Sequence, residues 1–188
     1  MRAALRLTSE MECAQHIGAA SVIVTVLYGG VCVAIQSGAQ AMPPRFPALA
    51  SKDLNGRKLS LPQDMPGERT IVIVAFEREQ QANVDTWTSG LHLAGSTQPW
   101  LELPVIEDLI APVRYFINSG MRRGIHDHEL WAHVVSIYTS KKQFKAAMGI
   151  TSEAAVQALV VDRSGKILER VTGDYSAEGA AKLMAAMK

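Results

Sequence analysis

Seven consecutive residues, Thr70-Ile71-Val72-Ile73-Val74-Ala75-Phe76, constrain this chain more than any other feature. The run is apolar, rich in β-branched side chains, and does not alternate with polar residues. A strand of that kind hides both of its faces, which requires helices above and below a sheet. The next residues meet that demand. Glu77-Arg78-Glu79-Gln80-Gln81 is polar, and Val84, Trp87, Leu91 and Ala94 then recur at the spacing of one helix face, with Trp87 read as a core side chain.

The remaining elements extend the pattern. Leu101–Ile106 reads as a second strand, placed at or near a sheet edge because Pro104 has no N–H to donate. The helix after it carries Leu109, Val113, Phe116, Ile117 and Met121 on one side and Arg114, Asn118 and Arg122 on the other. Pro112 sits in its first turn and Gly124 ends it. Val134–Tyr138 is a third strand, followed by a short helix, Lys141–Met148, capped by Thr139 or Ser140 and closed by Gly149. Ala158–Val161 and Ile167–Val171 form a hairpin around Asp162-Arg163-Ser164-Gly165. Ser176 caps a last helix with Ala180, Leu183, Met184 and Met187 on its inner stripe.

Ahead of the central run, Asn55-Gly56 is a strong turn signal before the short strand Lys58–Leu61. Residues 42–53, opening Met42-Pro43-Pro44-Arg45-Phe46-Pro47, read as an extended lead-in. The domain is expected over 54–188. Its element order predicts an α/β fold, a thioredoxin-like mixed sheet flanked by helices on both faces.

Residues 1–41 have a different character. Arg2 and Arg6 precede an apolar run from Ile17 to Ile35, and small residues at Ala39 and Ala41 follow. That is the layout of a secretory signal peptide, with an uncleaved membrane anchor over 17–35 as the alternative. Either reading puts the rest of the chain outside the cytoplasm, periplasmic or exported. Both cysteines, Cys13 and Cys32, lie in this segment. The part that folds therefore has no thiolate nucleophile, no disulfide and no thiolate metal ligand. Disulfide exchange and thiol peroxidase chemistry are excluded for it, because carboxylates and amides do not cycle through sulfenate or disulfide. A net charge of +1 gives no reason to expect nucleic acid as the partner.

Leu54–Leu61, Gly67 and the run to Phe76 resemble the opening of exported thioredoxin-like and peroxiredoxin-like proteins. In those proteins the reactive cysteine follows the central strand at the start of the next helix. Here Glu77–Gln81 stands in that place, and Thr151-Ser152-Glu153-Ala154-Ala155 stands where a proline usually precedes the next core strand. The stretch Val74–Trp87, with Leu103-Pro104-Val105-Ile106 and Gly120-Met121-Arg122-Arg123-Gly124-Ile125, is similar to a cysteine-free thioredoxin-like family. Its mitochondrial member is the assembly factor for the membrane sector of ATP synthase. The resemblance implies a redox-inactive binding protein without a cofactor. Its role would be chaperone or assembly factor, and its client a protein such as a subunit of a membrane complex.

Candidate partner-binding residues are Glu77, Arg78, Glu79, Gln80 and Gln81, at the end of the central strand where α/β sheets bind ligands. Arg122 and Arg123, with Arg114, form a candidate basic patch toward lipid headgroups or an acidic partner. His126-Asp127-His128, with His133, supports the alternative of a metal-binding or thiol-free enzyme, with His126 and His128 as weak metal candidates; the spacing matches no zinc motif. No Gly-rich phosphate loop and no nucleophile–base constellation stands out.

Overall fold

The computed structural model describes residues 43–188. The expected signal segment, with Ile17–Ile35, Cys13, Cys32 and the expected cleavage after Ala41, lies outside the described residues. The described elements are β1 (Leu49–Asp53), β2 (Lys58–Leu61), β3 (Arg69–Ala75), α1 (Gln81–Gly90), β4 (Trp100–Ile106) and α2 (Ala111–Gly124), then β5 (Val135–Tyr138), α3 (Lys141–Met148), β6 (Gln157–Asp162), β7 (Ile167–Thr172) and α4 (Ala177–Ala186). They form a seven-stranded sheet in the order β2-β1-β5-β4-β3-β6-β7. Strands β3, β4 and β5 are parallel neighbours, while β1, β2, β6 and β7 pair antiparallel.

The β-branched run explains the layering. Val72 and Val74 face the side covered by α3, where Phe144 and Met148 pack. Ile71 and Ile73 face the other side, where Val84 and Trp87 of α1 and Leu183 of α4 pack. Trp87 is fully buried, donates from its indole to the Gly173 carbonyl at 2.9 Å, and meets Tyr175 edge-on.

Several details depart from the sequence reading. Residues 49–53, read as lead-in, form β1 and join β5 through Lys52–Ser136 and Asp53–Val135. Phe46 is buried and packs edge-on against Phe144, so the domain begins before residue 54. Strand β4 lies between β3 and β5 rather than at an edge. Pro104 is tolerated there because the β4–β5 pairing is broken at that point. Glu102 meets Val134, and pairing resumes only at Val105–Ile137. Helix α1 stops at Gly90, His92 adopts a positive φ of 50°, and Leu93 rather than Ala94 enters the core.

The largest departure is α2. An amphipathic helix is expected to bury its apolar side, but α2 buries no residue fully. Over its first two turns its largest apolar side chains are exposed, while Arg114 and Asn118 contact the fold. Arg114, Asn118, Met121 and Arg122 lie on the stripe facing the fold, while Ile110, Val113, Tyr115 and Phe116 are 71%, 38%, 72% and 70% exposed. Asn118 Oδ1 accepts from Ser136 Oγ at 2.9 Å and from the Tyr138 hydroxyl at 2.8 Å. Arg114 lies over the Tyr138 ring at 5.1 Å. Strand β5 is short and carries polar groups, buried Ser136 and half-buried Tyr138, toward α2. Those hydroxyls need partners, and the polar side of α2 supplies them.

Candidate functional site

The loop between β3 and α1 is built around one glutamine. Gln80 is buried. Its side-chain oxygen accepts from the Phe76 N–H at 2.8 Å and the Glu77 N–H at 3.2 Å, and its amide donates to the Glu153 carbonyl at 2.6 Å. Gln80 thus ties the start of α1 to the loop before β6, the two places where the resemblance puts a reactive cysteine and a proline. Its polar atoms are committed inside the fold, so Gln80 does not belong to a partner-binding surface.

Around that tie runs a chain of opposite charges. Lys141 Nζ donates to the Phe76 carbonyl at 2.8 Å and contacts Glu77 at 2.9 Å and Glu153 at 3.5 Å; Lys145 contacts Glu153 at 2.6 Å. Burial opposes the Lys141 charge, but the Glu77 and Glu153 contacts win and hold its pKa above the usual lysine range. The Lys145 hydrogen bond leads the effects that lower the pKa of Glu153. Glu77 is therefore paired within the fold, whereas Arg78 and Glu79 are exposed. Gln81 is exposed too, and its amide donates to Asp85 Oδ1 at 3.1 Å.

The arginines do not assemble into a patch. Arg114 pairs with Asp108 near the start of α2, about 12 Å along the helix axis from Arg122. Arg122 donates to the Leu54 carbonyl at 2.6 Å, and Arg123 to Ser119 of its own helix at 3.2 Å. Arg122 is thus a packing residue that fastens α2 to the β1–β2 turn.

The histidines are dispersed as well. His133 stacks flat on Trp100 at 4.4 Å and its Nδ1 bonds the Trp100 carbonyl. His128 packs against Trp131 at 4.3 Å, and Asp127 caps the following 3₁₀ turn by accepting from the Glu129 N–H at 2.9 Å. Among the described residues, no group of three or more His, Cys, Asp or Glu side chains is placed to hold a metal ion. His126 and His128 are not brought into a shared site.

Two features escaped the sequence. One is the apolar surface of Ile110, Val113, Tyr115 and Phe116 described above. The other is Glu102, a buried carboxyl on the central strand β4 with no cationic partner among the described residues. Burial pushes its pKa up to about 7; the Gln81 amide works against that rise and the Asp85 carboxylate adds to it. A glutamate in a run such as Leu101-Glu102-Leu103 is one sequence signal that could have marked it. Among the described residues, no helix is long and apolar enough to cross a membrane.

No family model matches the chain, and no curated protein matches its sequence. Solved structures do match. A putative electron transfer protein from Aquifex aeolicus VF5 aligns with a TM-score of 0.51 at 15% identity, over 76% of this chain and 92% of its own. The pneumococcal exposed lipoprotein thioredoxin from Streptococcus pneumoniae strain TIGR4 aligns at 0.50 and 10% identity, over 75% and 98%. A DsbF homologue from Corynebacterium diphtheriae aligns at 0.50 and 12%, over 76% and 85%. Identities this low carry the fold alone. The chain has a thioredoxin-like fold, an α/β mixed sheet covered by helices on both faces.

Proposed function

We propose that this protein is a redox-inactive binding protein on a thioredoxin-like scaffold, acting as a chaperone or assembly factor for a membrane complex. The observation that carries the reading is the outward apolar face of α2. Ile110, just before the helix, and Val113, Tyr115 and Phe116 within it are exposed, while Arg114 and Asn118 are engaged in the fold. Covering them in an interface would stabilise a complex by about 1.5–3 kcal/mol for each fully buried side chain. The occupant that matches is an apolar segment of a membrane-complex subunit, which needs cover before assembly.

Three further points support the reading. Residues 43–188 contain no cysteine. The start of α1 is occupied by a tied-down glutamine instead of a free nucleophile. The leader read from the sequence puts the domain at the outer side of a membrane, periplasmic or exported.

The test is site-specific photo-crosslinking from position 116 in the full chain in intact membranes, with position 78 as the comparison for the α1 loop. The reading predicts one dominant membrane-complex subunit captured from position 116, lost in the Ile110→Asp/Phe116→Asp variant, with assembly of that complex reduced in parallel. Capture and assembly unaffected by the double substitution would refute it.

A further inference from the structure

Glu102 opens into a cavity of about 100 Å³ between α1 and β4. On the α1 side the wall is polar: Gln81, Asp85 and Thr88 recur at the spacing of one helix face. Opposite them are Trp100 and Glu102, and apolar side chains such as Ile125 and Leu130 close the space. Glu102 is 8% exposed and lines this cavity, whose α1 wall carries the exposed Gln81 and Asp85. A buried carboxylate is normally balanced by a cation or by several donors. No cation is present among the described residues, and the Gln81 amide, which acts on Glu102, also donates to Asp85.

We infer that this cavity is a binding site for a small organic cation, an alkylammonium group, held between the carboxylates of Glu102 and Asp85 with its carbon chain against Trp100, Ile125 and Leu130. Size and chemistry both select this class. An engineered apolar cavity of about 150 Å³ takes up benzene, so about 100 Å³ has room for a chain of about four non-hydrogen atoms. An inorganic cation would use the carboxylates but leave the apolar wall without a partner. A neutral apolar molecule would leave Glu102 uncompensated. An alkylammonium answers both walls, with its three N–H donors matched to the two carboxylates and Thr88. The ammonium can come from a free amine or from a lysine side chain of a bound protein. The site stands apart from the α2 face and does not depend on the client-binding reading.

The experiment is a calorimetric titration of the full chain with n-propylammonium at mildly alkaline pH, followed in parallel by tryptophan fluorescence. One saturable site is expected. Propanol, Na⁺, K⁺ and Mg²⁺ at equal concentration should give no saturable signal. Glu102→Gln should weaken amine binding at least tenfold, and Asp85→Asn severalfold, with cooperative unfolding retained in both. Acetyl-Gly-Lys-Gly-amide separates the two sources: binding within threefold of the amine identifies a lysine side chain, and weaker binding a free amine. Absence of saturable binding of either probe, equal binding by Glu102→Gln, or saturable binding of an inorganic cation in place of the amine would overturn the assignment.

Discussion

The Tyr138 hydroxyl donates to Oδ1 of Asn118 at 2.8 Å, and this bond faces the polar side of α2 toward the sheet. The same oxygen accepts from Ser136, a buried hydroxyl on β5. Asn118→Ala removes the acceptor that both hydroxyls share, leaving Tyr138 the Arg114 carbonyl at 3.3 Å and Ser136 the Met121 sulfur at 3.6 Å, and should cost about 1–3 kcal/mol. Phe116→Gln, on the exposed side, should change stability by no more than about 0.5 kcal/mol. Urea unfolding of the two variants checks the ranking. An ordinary amphipathic helix predicts the opposite order.

Gln80 supports the loop that the scaffold usually devotes to chemistry. Gln80→Ala leaves the Phe76 and Glu77 N–H groups and the Glu153 carbonyl without partners, and a destabilisation of about 1–3 kcal/mol is expected. Its neighbour Gln81 is exposed, and Gln81→Ala should stay within about 0.5 kcal/mol. Hydrogen exchange of the Phe76 and Glu77 amides should accelerate in the first variant and not in the second.

Glu102 makes stability depend on pH in a defined direction. Its pKa is raised from an ordinary 4.5 to about 7, so between those values the folded protein holds a proton that the unfolded chain has released. The contribution is fully present below pH 4.5, falls as pH rises toward 7, and changes no further above that. The loss amounts to roughly 3 kcal/mol at about 1.4 kcal/mol per unit. Among the residues lining the cavity, Asp85 is the other titratable group, and its charge acts in the same direction. Glu102→Gln should remove this slope and be the more stable form at pH 8. Denaturant midpoints across the range measure it.

Much of the fold was legible because its signals are local. The run Thr70–Phe76 demanded cover on both faces, and Ser140, Gly149 and Ser176 mark helix ends as the structure has them. The misreadings came from effects that reside between elements. Pro104 signals an edge when taken alone, but the interruption that accommodates it belongs to the β4–β5 pairing. Helix α2 has an apolar side by periodicity, yet which side turns inward is decided by hydroxyls on β5, a strand the helix meets only in three dimensions. The position of Gln80 in the loop after β3 is legible locally, but its task is not, since its hydrogen bond to Glu153 spans 73 positions. Glu102 sits inside an otherwise apolar strand, and nothing local shows that it lacks a partner.

The orientation of α2 is the claim on which the client-binding reading rests, and thiol accessibility tests it most directly. The folded part contains no cysteine, so single substitutions Phe116→Cys and Asn118→Cys can be compared after Cys13 and Cys32 are replaced by serine. Maleimide labelling of the native full chain should proceed at position 116 at nearly the rate seen in denaturant, and at position 118 at least tenfold more slowly. Fast labelling at position 118 with protection at position 116 would show that α2 buries its apolar side and would contradict the account.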